Sequence, residues 1–158
     1  MATYTIQPRN GPDPPEYLSN HGAGVPAKPC LEDPKSRGTV YLVDDDPSVR
    51  RALMRLLRSD GIRVCDFANA DEFLRSAPEE GHACLVLDVD MQGTDGLALQ
   101  EILKAQGSRL PVVFISAMRD PLVHERAINA GAVAFIIKPF SAEKLLGLIH
   151  DALSMRVQ

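Results

Sequence analysis

Short apolar runs alternate with amphipathic stretches along most of the chain. Each run is bounded by turn residues, which predicts a buried strand. Each intervening stretch repeats apolar residues at helical spacing, which predicts a helix. The predicted strands are 39–43, 62–67, 84–87, 111–116 and 133–137, and the predicted helices are 48–59, a short one after Asn69, 97–107, 121–130 and 142–155. This order predicts an α/β fold, a doubly wound five-stranded parallel sheet flanked by five helices with right-handed crossovers.

The first 38 residues have a different composition. They contain seven of the twelve prolines in the chain and show no hydrophobic periodicity. Such a segment cannot bury enough apolar surface to offset the entropy lost on ordering. We therefore expect a disordered arm over 1–38, a folded domain over 39–155 and a short tail over 156–158. Docking of the proline-rich arm on a partner is the alternative to a solvated arm.

Charge and hydropathy narrow the classes of partner. The formal net charge is −4, which gives no general basic surface for nucleic acid. No apolar run approaches the roughly 18 residues of a membrane span, and the amino terminus lacks the features of a signal peptide. The histidines and cysteines do not have the spacing of metal ligands. We expect a cytoplasmic protein that binds neither nucleic acid nor membrane.

Polar residues follow four of the five predicted strands. Asp44 and Asp45 follow the first strand, Asp88 the third, Ser116 the fourth and Lys138 the fifth. Because the carboxyl ends of parallel strands meet at one edge of a sheet, these side chains should converge there.

This combination of side chains predicts phosphoryl chemistry. Carboxylates about 4 Å apart repel by about 4 kcal/mol per pair at an effective dielectric of 20, and Mg²⁺, which prefers oxygen ligands, would offset that repulsion. A lysine suits a phosphoryl oxygen, and aspartate can act as a phosphoryl acceptor. The chain has no phosphate-binding loop of the GxxxxGK[ST] type, so we expect the phosphoryl group to come from a donor other than bound ATP.

Four segments resemble the receiver domain of bacterial two-component response regulators, and in particular the FixJ-like group. The segments are VDDDPS, LDVDMQGTDG, FISA and GAVAFIIKPF, in the family's order and spacing. The resemblance covers about Thr39 to Leu153 and implies the flavodoxin-like version of the predicted fold.

The resemblance implies a phosphoryl acceptor and a metal site. Asp88 corresponds to the acceptor, and its carboxylate would also be a ligand of the metal. Asp44 and Asp45 correspond to the acidic pair that holds Mg²⁺, with Asp45 a direct ligand and Asp44 acting through water. Asp90 would offer its backbone carbonyl to the metal.

The resemblance also implies a switch. Ser116 corresponds to the hydroxyl that turns toward the phosphoryl group, and Lys138 to the lysine that pairs with a phosphoryl oxygen. Phe135 occupies the aromatic switch position. The bond before Pro139 is expected to be cis.

Four residues near the predicted site depart from the common pattern or add charge to it. Gln92 stands where the family usually has proline, Asp90 adds an acid near the site, and Phe135 lacks the hydroxyl of the commoner tyrosine. Asp46 is a third acid in the first loop, where it would favour the helix amino terminus. None of these residues replaces a reactive group.

The expected partners are proteins. A sensor histidine kinase or a histidine phosphotransfer protein would donate the phosphoryl group. A downstream target would bind the face of helix four, strand five and helix five, and a second copy of the chain is a further candidate partner after phosphorylation. The basic flank of the first helix is either part of the kinase-docking surface or a solvated face; it comprises Arg50, Arg51, Arg55 and Arg58. Because the chain ends soon after the last helix, we expect a single-domain regulator.

Two alternatives use the same residues. A haloacid-dehalogenase-like phosphatase would use Asp88 and Asp90 as its DxD pair, but its second acidic pair should follow the lysine, whereas Asp44 and Asp45 precede the nucleophile. A degenerate receiver acting as a binding module would lack an acid, the hydroxyl or the lysine, and all are present. We therefore predict a signalling switch that is not an enzyme, apart from self-phosphorylation from small donors and autodephosphorylation.

Overall fold

A computed structural model of the protein describes residues 35–76, 78, 81–91 and 95–155. Three predictions fall outside these residues: the disordered arm as far as residue 34, the effect of Gln92, and the tail over 156–158. Among the described residues, no helix combines the length and the apolar character that a membrane crossing requires.

Strands and helices alternate throughout the described chain, as the hydrophobic pattern predicts. Every predicted element is present, and the ends differ from the prediction by at most two residues. In chain order the elements are β1 (Thr39–Val43), α1 (Pro47–Ser59), β2 (Arg63–Phe67), α2 (Ala70–Arg75), β3 (Ala83–Asp88), α3 (Gly96–Ala105), β4 (Val112–Ser116), α4 (Pro121–Asn129), β5 (Ala134–Ile137) and α5 (Ala142–Ser154).

The five strands form one parallel sheet in the order β2-β1-β3-β4-β5. From β1 the chain first adds β2 on one side and then adds β3, β4 and β5 on the other side. The direction in which strands are added therefore reverses between β1 and β3. Ligands of open α/β sheets bind outside the carboxyl ends of the strands at such a reversal. The predicted doubly wound parallel sheet is therefore confirmed, and its reversal lies where β1 and β3 end.

Two apolar clusters cover the two faces of the sheet. One contains residues of α1 and α5, and the other contains residues of α2, α3 and α4. Because β3 lies at the centre, its side chains enter both clusters, and all six of its residues are buried. This explains why β3 is an unbroken apolar run that ends in Asp88, without polar alternation.

Each helix begins with a polar side chain that accepts a backbone N–H. Asn69, Asp120 and Ser141, residue types that favour the position before a helix, cap α2, α4 and α5. Asp46 and Asp95 cap α1 and α3 in the same way. These caps fix the points at which the loops leave the sheet edge and enter the helices.

Gly96 lies against the backbone of the last residue of β3. A Cβ at this position would overlap the carbonyl oxygen of Asp88 and would lie 3.1 Å from the Cα of Val89. Its own N–H donates to the carbonyl of Val89 at 3.2 Å. From the sequence this glycine is only a turn residue, whereas the structure shows that it allows α3 to approach the end of β3.

We predict that Gly96→Ala destabilises the protein by about 1–3 kcal/mol, because the added methyl group must displace the backbone at Asp88. Urea unfolding measures the change. Gly147→Ala is the matched control, since Gly147 lies in α5 and no described atom outside its own helix backbone lies within 4 Å of the position that a Cβ would take; it should stabilise by about 0.5–1 kcal/mol. Equal effects of the two substitutions would show that the close approach at Gly96 has no energetic consequence.

Candidate functional site

Three carboxylates meet at the carboxyl edge of the sheet. Asp88 is the last residue of β3, and Asp44 follows β1 directly, where Val43 pairs with Leu87. Asp44 and Asp88 are buried, and Asp45 is exposed. One carboxylate oxygen from each of the three lies within 4.8 Å of the others. The topology thus brings together acids from the loop after β1 and from the end of β3, which are distant in sequence.

Lys138 brings a positive charge to this group. Its Nζ lies 3.7 Å from Oδ2 of Asp44 and 3.9 Å from Oδ2 of Asp88. The residue follows β5, and its N–H donates to the carbonyl of Ser116 at 2.8 Å. The Lys138–Pro139 bond is cis, as predicted. Three ionised carboxylates and this one ammonium group together carry a net charge of two negative units.

The acids are difficult to ionise together. Burial, with a further contribution from the charge of Asp44, raises the pKa of Asp88 from 3.8 to about 7, although Lys138 opposes the shift. Burial is also the largest cause of the raised pKa of Asp44. Desolvation and like charge both disfavour the ionised form, so a bound cation would be strongly favoured at this position.

The donor set fits a hard divalent cation such as Mg²⁺, which prefers oxygen ligands. Oδ1 of Asp44 accepts from the N–H of Asp46 at 2.9 Å, and Oδ1 of Asp88 accepts from the N–H of Asp90 at 3.1 Å. Oδ2 of Asp44 is buried and has no hydrogen-bond partner among the described residues. A buried acceptor that lacks a donor costs free energy, and a cation would satisfy it.

Ser116 joins the site through Asp90. Its side chain is fully buried at the end of β4, and its hydroxyl donates to Oδ2 of Asp90 at 3.4 Å. The hydroxyl oxygen of Ser116 also accepts from the N–H of Met118 at 2.9 Å. The structure therefore places Ser116 beside an acid whose own N–H donates to Asp88.

Phe135 packs between β4 and α4. Its half-buried ring lies against Phe114 with centroids 6.1 Å apart, and against the ring of His124 at 5.0 Å. These contacts join β5 to β4 and to α4. The position of the Phe135 ring is therefore coupled to the packing of α4 against the sheet.

Arg50, which the sequence places on the basic flank of α1, contacts the residues of the site. Its side chain is only 16% exposed, its Nη1 donates to the carbonyl of Asp44 at 2.7 Å, and its Nε pairs with Oδ2 of Asp66 at 3.2 Å. The solvated-face alternative is therefore wrong for Arg50, and its part in a kinase-docking surface stays a prediction. The sequence held an indication of this role, because helical side chains point back toward the amino terminus of their helix, where residues 44–46 lie.

We predict a pH-dependent effect of Asp88→Asn on the metal-free protein. Below pH 3.8 Asp88 is protonated in both states; as the pH rises toward 7, the unfolded chain ionises while the folded chain still holds the proton. The native state therefore loses stability over this range, and the substitution removes the loss. In urea unfolding with a chelator, the variant should be more stable by on the order of 2 kcal/mol at about pH 8 and nearly equal to the wild type at about pH 4. A difference that does not vary with pH would contradict this origin of the instability.

Comparison with known proteins agrees with the fold and identifies the family. The family model described as the response regulator receiver domain matches residues 40–150. The chain is 43% identical over 119 residues to the response regulator protein TmoT of Ectopseudomonas mendocina, covering 75% of this chain and 54% of TmoT. It is 36% identical over 118 residues to the transcriptional regulatory protein FixJ of Bradyrhizobium diazoefficiens, covering 75% of this chain and 58% of FixJ.

Solved structures give the same result. The response regulator StyR superposes with a TM-score of 0.71 at 45% identity, over 77% of this chain and 61% of StyR. The structure titled FixJ-N superposes with a TM-score of 0.72 at 31% identity, over 81% of this chain and 99% of that one. The chain thus spans about half the length of the curated relatives it matches and nearly all of FixJ-N. It belongs to the response regulator receiver family of two-component signalling, whose domains receive phosphoryl groups from histidine kinases and act as signalling switches.

Proposed function

We propose that Asp88 accepts a phosphoryl group from a histidine kinase or a histidine phosphotransfer protein. The observation that carries the proposal is the meeting of Asp88 with Asp44, Asp45 and Lys138 at the carboxyl edge of the sheet. A carboxylate oxygen of Asp88 forms a bond to phosphorus as the bond from phosphorus to the donor's histidine nitrogen breaks. The nitrogen keeps that electron pair, and Asp88 becomes an acyl phosphate.

The surrounding residues prepare this transfer. Asp44, Asp45, Asp88 and the backbone carbonyl of Asp90 would hold Mg²⁺, which neutralises negative charge on the phosphoryl group when it is bound. Lys138 pairs with a phosphoryl oxygen, since its ammonium group already faces Asp88. Positioning and charge neutralisation supply most of the catalysis in phosphoryl transfer, so the transfer needs no further reactive side chain from this chain.

The switch follows from the contacts of Ser116 and Phe135. In the proposed transition, the Ser116 hydroxyl leaves its 3.4 Å contact with Asp90 and donates to the phosphoryl group. Phe135 then changes its packing between Phe114 and His124, which moves α4 relative to β5. Phosphorylation would shift the population between these two arrangements.

A downstream protein would recognise the phosphorylated state at the α4–β5–α5 face. Apolar side chains on α4 and β5, or next to them in the chain, are exposed to solvent: Leu122 is 72% exposed, Met118 43% and Ile137 37%. Exposed apolar side chains that lie close together are typical of a surface that binds another protein, which here would be a downstream target or a second copy of the chain. We propose that this chain acts through protein contacts in the cytoplasm, without binding nucleic acid itself, and that residues 1–36 are not needed for phosphorylation.

Phosphorylation of Asp88 should produce an adduct whose intact mass can be measured. Incubation with Mg²⁺ and a small phosphodonor should add one phosphoryl group to the wild type. Asp88→Asn should give no adduct, and neither should the wild type with a chelator, because the acceptor or the metal is then missing. Lys138→Met should lower the yield strongly, since it leaves the phosphoryl charge unpaired. Continuous release of phosphate without an adduct would indicate a phosphatase, and neither adduct nor release would indicate a binding module.

A further inference from the structure

The loop that carries the metal-binding acids is held by contacts to the neighbouring strand. We call residues 44–46, between β1 and α1, the acidic loop. The N–H of Asp44 donates to the carbonyl of Phe67, at the end of β2, at 3.2 Å. The carbonyl of Asp44 accepts from Nη1 of Arg50 at 2.7 Å. Both backbone groups of Asp44 are therefore paired with groups outside the loop.

Arg50 connects the acidic loop to β2 through a second contact. Its Nε pairs with Oδ2 of Asp66 at 3.2 Å, and the two side chains are only 16% and 13% exposed. Asp66 lies on β2 opposite Leu42 of β1. Water screens such a partly buried pair less than an ion pair on the surface, so it can hold the guanidinium in one orientation.

With both backbone groups of Asp44 paired, its carboxylate oxygen Oδ2 is the atom that can bind a ligand at the site. Oδ1 of Asp44 accepts from the N–H of Asp46, whereas Oδ2, which has no hydrogen-bond partner in the described part of the chain, faces Nζ of Lys138 at 3.7 Å. The orientation of Oδ2 depends on the position of the Asp44 backbone. Because Arg50 fixes the carbonyl of that backbone, it acts on the carboxylate without touching it.

We propose that Arg50 is a positioning residue, which holds the acidic loop against β2 so that the carboxylates of Asp44 and Asp45 are preorganised for Mg²⁺. This inference rests on the proposed function and deepens it. The role requires arginine, because one planar guanidinium donates in two directions at once. The single ammonium of lysine at the end of a flexible stem cannot reproduce that geometry.

The test compares three variants of the full chain: Arg50→Gln, Arg50→Lys and Arg51→Gln. Arg51 is the matched control, because it is the next residue of α1, carries the same charge and is exposed, with a 3.4 Å hydrogen bond to Ser48. Calorimetric titration with Mg²⁺ alone should give dissociation constants about 10-fold higher for both Arg50 variants, the size of effect expected for a residue that orients a ligand. Arg51→Gln should stay within about 2-fold of the wild type, since it removes an exposed charge, which solvent screens, and a hydrogen bond to Ser48.

Two further measurements separate positioning from a general loss of stability. In a chelator, the amides of Asp44 and Asp46 should exchange faster in the Arg50 variants, while amides of the β3 and β4 ladders keep their protection. Phosphorylation by a small donor should be slow at limiting Mg²⁺ and recover at saturating Mg²⁺. Asp66→Asn should weaken Mg²⁺ binding in the same direction, and combining it with Arg50→Gln should add little.

The outcomes distinguish this inference from the function on which it rests. If the wild type binds Mg²⁺ and is phosphorylated, but the Arg50 variants bind Mg²⁺ as tightly as Arg51→Gln does, the positioning role is wrong and the proposed function stands. If the wild type neither binds Mg²⁺ nor accepts a phosphoryl group, both are wrong. Should Arg50→Gln fail to fold, Arg50→Lys, which keeps the charge and most of the stem, decides the question.

Discussion

The structure at the functional edge depends on the burial of two like charges, Asp44 and Asp88, at the ends of adjacent strands. Burial and like charge raise the pKa of both carboxyl groups. The sheet holds them together because β1 and β3 are hydrogen-bonded neighbours at the centre of the fold. The groups around them reduce the free-energy cost of burying two like charges. Lys138 supplies a positive charge, and backbone N–H groups donate to one oxygen of each carboxylate. The remaining negative charge favours a bound cation, which in the proposed function would offset the charge of an incoming phosphoryl group.

The same fold supports many activities, so the function follows from the site and not from the sheet. Two roles are divided among the residues of the site. In the proposed function the acidic cluster and Lys138 carry the charge chemistry, whereas Ser116 and Phe135, which contact residues of β4 and α4, connect it to the rest of the domain. Ser116 links the two roles, since its hydroxyl contacts Asp90 while its carbonyl accepts from the N–H of Lys138. In the proposed function, a change in charge at Asp88 would reach the α4–β5–α5 face through Ser116 and Phe135.

The helices and strands could be predicted because local pattern and tertiary packing favour the same structure. The run that becomes β3 is apolar throughout, since it is covered on both faces, and helices begin where a cap such as Asn69 or Ser141 follows a strand. The ends shifted by at most two residues, as expected where apolar pattern alone marks a boundary. The meeting of Asp44 and Asp88 could also be expected, because parallel strands deliver their carboxyl ends to one edge.

The sequence by itself determined the order of the elements, the parallel sheet and the polar residues that meet at its edge, because each depends on periodicity or on position at a strand end. The tertiary structure decided which side chains support those residues. Arg50 reaches Asp66, sixteen residues away, and Ser116 reaches Asp90, twenty-six residues away. Gly96 must be small only because α3 packs against the end of β3. No local pattern encodes these contacts, since each depends on the distance between elements that meet only after the sheet has formed.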